Sequence, residues 1–319
     1  MKKIVVTGAA GFIGSNLVDD LLRKGFHVLG LDNFSSGNEK FIETAKENEN
    51  FSIISCDLLN TDSLEEYFSG ASLVFHFAAN ADVRFGTKNP SLDLEQNTIV
   101  TFNVLEAMRK NSISNIVFSS TGAMYGEAKI VPTPEDGPMP IQTSLYGASK
   151  LACESMIQAY CEGFGFKAWI FRFVSILGNR YTHGHVFDFY KQLKHDPGRL
   201  HVLGDGNQKK SYLHVDDCID AMWVGIKNSK NGVNIFNLGA EDYCQVKDSV
   251  EWITSKLNLS PEISFSGGER GWVGDNPFVF LETKKIISLG WKQKYTIREG
   301  VEKTVDFLLN NEWVFDFRE

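Results

Sequence analysis

The chain has 319 residues, 43% of them hydrophobic and 23% charged, enough for one large or two modest domains with a substantial core. A formal charge of -8 leaves no excess of Lys and Arg to neutralise a phosphate backbone, which argues against a nucleic-acid partner, and no stretch is long and apolar enough to cross a bilayer. The five cysteines (56, 153, 161, 218 and 244) are scattered, odd in number and outside metal-ligand spacing, so they read as reduced thiols of a cytoplasmic protein.

Met1-Lys2-Lys3 followed by Ile4-Val5-Val6 imitates a signal peptide, but Gly8, Gly11 and Gly14 break the apolar run and no small-residue cleavage pattern follows. The run reads instead as a first strand, residues 3–7. Further strands are expected at 28–32, 51–56, 73–78, 116–120 and 168–174, with one more, 234–238, returning to them. Helical patterns lie between: Ile13, Leu17 and Leu21 repeat every four residues in 14–24, and Val100, Val104 and Met108 do so in 97–110. Strands alternating with helices imply βαβ units, so the expected class is α/β, a doubly wound parallel sheet of Rossmann type. Residues 130–142 hold four of the chain's eight prolines and must form a loop that delivers the chain to Tyr146. After Gly178 the pattern turns irregular, with helices at 215–227, 246–257 and 297–310. The expected division is a dinucleotide-binding domain, residues 1–174 plus the strand near 234–239, interleaved with a smaller mixed α/β C-terminal substrate lobe, 175–319.

Two sites stand out. Thr7-Gly8-Ala9-Ala10-Gly11-Phe12-Ile13-Gly14 joins a strand to a helix start. Gly8 permits the turn, Gly11 lets backbone approach a pyrophosphate, Gly14 lets helix and strand pack closely, and the helix N-terminus favours the anion. The spacing is Gly-x-x-Gly-x-x-Gly rather than the standard fingerprint. Asp32, at the end of the second strand, can accept both ribose hydroxyls and would repel a 2′-phosphate, which selects NAD over NADP. Asp57, after the third strand, could meet the adenine.

The second site is a proton-transfer set. Tyr146 and Lys150 lie four residues apart, one helical turn, with Ser119, Ser120 and Thr121 upstream. Three other Tyr-x-x-x-Lys pairs occur, at Tyr125/Lys129, Tyr190/Lys194 and Tyr243/Lys247, but only Tyr146/Lys150 opens a long helix after a loop that leaves a strand C-terminus. A free phenol is a poor base at neutral pH. The expectation is that the lysine ammonium brings its pKa down toward the working range, with Thr121 or Ser120 bonding the reacting oxygen. His183-Gly184-His185 supplies only two metal ligands, so no metal is expected, and His185 reads as part of a substrate-contacting loop.

With these residues in hand, the chain resembles the extended short-chain dehydrogenase/reductases, most closely their UDP-glucose (UDP-galactose) 4-epimerases, notably archaeal ones. The likeness covers nearly the whole chain. It rests on Thr7 to Gly14, Leu31-Asp32-Asn33, His76-Phe77-Ala78-Ala79, Asn97, Phe118-Ser119-Ser120-Thr121, Tyr146-Gly147-Ala148-Ser149-Lys150, Leu203-Gly204-Asp205-Gly206, and Arg270-Gly271-Trp272 with Gly274-Asp275. It implies Thr121, Tyr146 and Lys150 as the catalytic triad. It puts Phe12 and Ile13 over the pyrophosphate, Asn33, Ser35 and Ser36 about the adenosine ribose, and Asp57 and Leu58 near the base. Phe77, Ala78 and Ala79 would line the nicotinamide side, and Asn97, Ser119 and Phe173 would support the cofactor. Ser175, His185, Lys210, Arg270 and Asp275 would hold a UDP-sugar, and two helices, 97–110 and 146–163, would form a four-helix homodimer interface.

The residues after Thr121 bear on the reaction. Dehydratases of this group resemble one another in an Asp-Glu pair there, and decarboxylating relatives carry a Glu. Gly122 and Ala123 can do no proton chemistry, leaving one acid/base and one hydride acceptor, the minimum for C4 epimerisation. Another sugar nucleotide, or net oxidation of one, is the alternative. Leu145, Ser175 and Lys210 stand where the family usually has Pro, Asn and Arg, which bears on nucleotide and sugar identity. Val279, near the family's sugar-size gate, reads either as that gate or as plain core.

Overall fold

A computed structural model describes residues 2–138 and 141–317. Met139 and Pro140, part of the expected loop, lie outside them. The main sheet has seven parallel strands: β1 (Lys3–Thr7), β2 (His27–Asp32), β3 (Phe51–Ser55), β4 (Ala71–His76), β5 (Asn115–Thr121), β6 (Lys167–Phe173) and β7 (Val233–Leu238). Their order is β7-β6-β5-β4-β1-β2-β3. All seven expected strands are present, each within two residues of its expected ends. β1 sits centrally with β2 on one side and β4 on the other, so the order reverses there, and ligands of open α/β sheets bind outside the strand ends at such a reversal.

β1 is buried on both faces and so reads as a continuous apolar run, Ile4-Val5-Val6. The core on one side packs Val5, Leu31, Val74, Ile116, Phe118 and Ile170 against Val104, Met108 and Ile157 of two helices, Val100–Lys110 and Leu145–Phe164. Each of these side chains contributes about 1.5–3 kcal/mol by leaving water. The Leu145–Phe164 helix has clear local causes. Ser144 caps it by accepting from Gly147 N (3.0 Å), a bond worth about 1 kcal/mol, and Gly165 ends it at φ +67°. Among the described residues no helix is long and apolar enough to cross a membrane.

The chain divides into two compact units. The first comprises Met1–Met124, Ser144–Arg172 and Met222–Phe236, and contains most of the sheet. The second comprises Tyr125–Thr143, Phe173–Ala221 and Asn237–Glu319. In it the helices Val215–Asn228 (whose last turns fall to the first unit), Val246–Lys256 and Ile297–Asn310 follow their periodicity. Where irregular chain was expected, the structure has a further helix, His185–His195, and strands of two to four residues. Ser175–Leu177 pairs with Tyr212–His214, and Lys209–Lys210 pairs with Cys244–Gln245 and Phe278–Val279. Strands that short carry too few residues to show alternation.

Candidate active site

Asp32 ends β2 with both oxygens already oriented. Its Oδ2 accepts from Ala10 N (2.8 Å) and its Oδ1 from Phe34 N (2.8 Å). The carboxylate is therefore pinned across the glycine-rich turn, with lone pairs left for further donors. Burial raises its pKa, opposed by those two backbone bonds.

That turn leaves no room for side chains. A Cβ on Gly8 would lie 2.7 Å from Ala78 N, and one on Gly14 would lie 2.0 Å from Gly8 O. Gly8 also sits at φ +70°. The Phe12–Arg23 helix begins at Gly11 with no side chain capping its first turn. A close turn, an uncapped helix start and a carboxylate at the next strand's end fit a dinucleotide. Phe12 and Ile13 open that helix, while Ala78 N and Phe77 N both donate to Thr7 Oγ1, which fixes the β4 exit beside the turn. Ala79 follows it directly. Further round, Asn33 folds on itself, its Oδ1 accepting from Ser35 N and Ser35 Oγ, with Ser36 exposed beside it. Asp57 accepts from Leu59 N, and buried Leu58 gives its carbonyl to Asn103.

The proton-transfer residues meet in the first unit. Thr121 ends β5, and Tyr146 and Lys150 lie in the first turns of the Leu145–Phe164 helix. The Thr121 hydroxyl lies near enough to the Tyr146 phenol to pull its pKa down. Lys150 Nζ donates to Ser119 O (2.9 Å) and stands 4.8 Å from the centre of the Phe118 ring. The titration behaviour departs from expectation. Burial pushes the Tyr146 phenol up to about 12, against the pull of Thr121, and the charges of Asp93 and Cys153 push the same way. Burial also brings Lys150 down to about 8. In the protein alone the lysine does not overcome the phenolate's desolvation, because its own ammonium is desolvated on a carbonyl and a ring.

Asn97 lies in a π-helical turn, Leu94–Ile99, ahead of the expected α-helix. Its Oδ1 accepts from Asn80 N (2.9 Å), and its Nδ2 donates to Ser149 Oγ (2.9 Å) and Asp93 Oδ1 (3.3 Å). Sequence reasoning also missed a buried ion pair. Glu154, one turn beyond Lys150, accepts from Arg172 of β6 at 2.7–3.2 Å, and Ser120 Oγ donates to the same carboxylate. This pair ties β5, the helix and β6 together directly behind Thr121 and Lys150. A Glu four residues after the lysine was the one available signal, since its partner lies 18 residues away.

The residues expected to hold the nucleotide belong mostly to the second unit. Lys210 Nζ donates to Asp275 Oδ1 (2.7 Å) and to Asn276 O, while Asp275 Oδ2 accepts from Gly271 N (2.9 Å). Arg270 is exposed and paired with Glu127. Ser175 is exposed on its short strand, aligned with Tyr212, and Phe173 is buried at the end of β6. Val279 is aligned with Lys210 and is half-buried. His185 opens a helix rather than a loop. Its Nε2 meets Ser249 Oγ (2.7 Å), its ring packs on Tyr212, and burial brings its pKa down to about 3. The other Tyr/Lys pairs are structural: Tyr125 donates to Asn237, Tyr190 and Lys194 both bind Glu312, and Tyr243 packs on Phe278 and Phe280.

Comparison with known proteins bears on this geometry. The model of the NAD dependent epimerase/dehydratase family matches residues 4–239. A protein of Methanocaldococcus jannaschii provisionally named a UDP-glucose 4-epimerase is 33% identical over 97% of this chain and 99% of its own length. A crystal structure of a UDP-galactose 4-epimerase superposes with a TM-score of 0.88 at 36% identity, covering 98% of this chain and 100% of that one. A UDP-glucuronic acid 4-epimerase from Bacillus cereus, in complex with UDP-glucuronic acid and NAD, superposes with a TM-score of 0.89 at 28% identity, covering 97% and 99%.

Proposed function

The chain belongs to the NAD dependent epimerase/dehydratase family, and from that premise we propose that it inverts C4 of a UDP-sugar, interconverting UDP-glucose and UDP-galactose through a transient 4-keto sugar. The observation that carries this reading is the assembled trio of Thr121, Tyr146 and Lys150 followed by Gly122 and Ala123. Ala123 contributes only its backbone N–H, which donates to Thr121 Oγ1 (3.0 Å). One proton acceptor is present, and no second acid or base of the kind dehydration needs adjoins Thr121.

NAD, the family's cofactor, supplies a hydride acceptor and then a hydride donor, and its oxidised ring supplies a positive charge. Gly8, Gly11 and Gly14 with the following helix start would hold its pyrophosphate, and Asp32 its ribose. Tyr146 takes the 4-hydroxyl proton and later returns it. Thr121 holds the phenol in place, and Lys150, fixed on Ser119 O, steadies the charge that forms. With the phenol pushed up to about 12 in the protein alone, added positive charge at the site is what brings it into working range.

Lys210, Arg270 and Asp275 are assigned to the nucleotide. The Arg270–Glu127 pair is exposed, and such pairs are worth about 0–1 kcal/mol, so exchanging Glu127 for a diphosphate costs little. Lys210 offers charge without a guanidinium's fork. Ile99, Phe102 and Phe164 expose apolar surface around the two helices assigned to a homodimer, and Phe102→Lys should convert a sedimenting dimer into monomer.

The test is incubation of the purified protein with UDP-galactose and no added NAD, followed by NMR, with UDP-glucuronate and UDP-N-acetylglucosamine in parallel. UDP-glucose should form. In a second incubation supplied with NAD, its stoichiometric reduction would replace epimerisation with net dehydrogenation, and inversion of another sugar alone would move the assignment to that sugar.

A further inference from the structure

A carboxylate with no part in the proposed chemistry lies behind the catalytic helix. Asp93 closes the short Pro90–Asp93 helix and is 1% exposed. Its Oδ1 accepts from Asn80 Nδ2 (2.8 Å) and Asn97 Nδ2 (3.3 Å). Its Oδ2 is buried and has no hydrogen-bond partner among the described residues. A Cβ on Gly86 would fall 2.5 Å from that oxygen, so the glycine keeps the space beside it clear. An unpaired carboxylate oxygen out of water is costly unless a nearby charge compensates it.

Two links lead from it to the trio. The first is a chain of hydrogen bonds: Asn97 Nδ2, held by Asp93, also donates to Ser149 Oγ (2.9 Å), and Ser149 Oγ donates to Tyr146 O (2.8 Å). The carboxylate is thus two side chains from the backbone of the catalytic tyrosine. The second is through space. Lys150, which donates to the neutral carbonyl of Ser119, is the cation that stabilises the Asp93 charge, and Asp93 in turn favours the ammonium.

Resting on the reading above, we propose that Asp93 is a positioning residue of the proton-transfer site: a buried carboxylate that holds the first turn of the Leu145–Phe164 helix through Asn97 and Ser149, and keeps Lys150 in its ammonium form. Cys153 and Glu154 also face Lys150 and favour its ammonium, each by more than Asp93 does. Burial raises the Cys153 thiol and Glu154 is committed to Arg172, whereas the Asp93 Oδ2 is tied to no cation among the described residues; His76 is buried and neutral. Asp82, which also faces Asp93, is paired with Arg84.

Asp93→Asn separates charge from hydrogen bonding, because the amide oxygen still accepts from Asn80 and Asn97. In carbon-13 lysine NMR of the protein without substrate, Lys150 is the lysine titrating near pH 8, identified by its loss in Lys150→Met. Asp93→Asn should lower that midpoint by about half a unit or more, a roughly threefold change in its charged-to-neutral ratio. Both limbs of the pH–kcat profile should move to lower pH with it, since the carboxylate also raises Tyr146. A fall in kcat with the lysine midpoint and both limbs unmoved would reduce Asp93 to a structural residue and overturn the proposal. If the variant does not fold, the wild-type carboxyl decides: Asp93 must be ionised throughout the range in which Lys150 titrates, and a neutral Asp93 there overturns it. Should the wild type invert no nucleotide sugar, the proposed function fails, while the lysine midpoint still judges Asp93.

Discussion

Glu154→Gln removes one charge from a pair that water does not reach. The two side chains are 0% and 3% exposed, and Arg172 contributes both Nε and a terminal nitrogen to the carboxylate. The variant removes the carboxylate charge that faces a buried guanidinium, and breaking such pairs costs about 3–5 kcal/mol. Set against a typical total of about 5–15 kcal/mol, that is a large share. Urea denaturation at neutral pH should show a midpoint lowered accordingly with an unchanged slope, provided unfolding is two-state. The double variant Glu154→Leu with Arg172→Met should recover most of the loss, because matched apolar groups of similar volume replace buried pairs at little cost. A loss below about 1 kcal/mol for Glu154→Gln would refute the reasoning, since it would mean that the pair is hydrated or already neutral. A consequence for turnover follows from position. Ser120 adjoins Thr121, Glu154 lies one turn past Lys150, and both belong to the clamp, so kcat should fall in the single variant even where the protein is still folded.

Three further outcomes are expected. Tyr146→Phe should lower kcat by about 10²–10⁴ while NAD remains bound, measured by turnover and by cofactor released on denaturation; unaltered turnover would remove Tyr146 from the mechanism. Gly14→Ala should give protein that has lost its NAD, because the added carbon has only backbone at 2.0 Å to displace; full cofactor occupancy would contradict the cradle. His76, between Thr7 and Thr101, has a folded pKa lowered to about 3, below its unfolded value near 6.5. The unfolded state therefore takes up the proton first, and stability falls as pH drops from about 6.5 toward 3. Between about pH 7 and 5 the wild type should lose about 2 kcal/mol more than His76→Gln in parallel denaturation curves; equal losses would show the ring to be hydrated.

What the sequence disclosed and what it concealed have separate physical causes. The β1 run Ile4-Val5-Val6 is buried on both faces, so burial itself wrote an apolar string that could be read directly. The same holds for the Leu145–Phe164 helix, whose Ser144 cap and Gly165 stop are local signals. Tyr146/Lys150 could be chosen over three similar pairs because it opens a helix after a strand exit, and the rejected Tyr190 and Lys194 indeed serve Glu312. Interactions across long separations stayed hidden. Ser149 meets Asn97 52 residues away, and Lys210 meets Asp275 65 residues away, so nothing near any of them in the chain announces the contact. The upward shift of the Tyr146 phenol was hidden for a related reason: spacing shows that a lysine is one turn away, but only the packed structure shows how much water both groups have lost.

The central claim is that hydrogen leaves C4 as hydride, stays on the enzyme and returns to the same carbon. UDP-galactose deuterated at C4, converted by the protein with no NAD added, tests this in one NMR experiment. The account predicts UDP-glucose with the deuterium kept at C4 and no lasting nicotinamide absorbance. Product that has exchanged its C4 label with solvent hydrogen would contradict it, because a proton and not a hydride would then have been removed from that carbon.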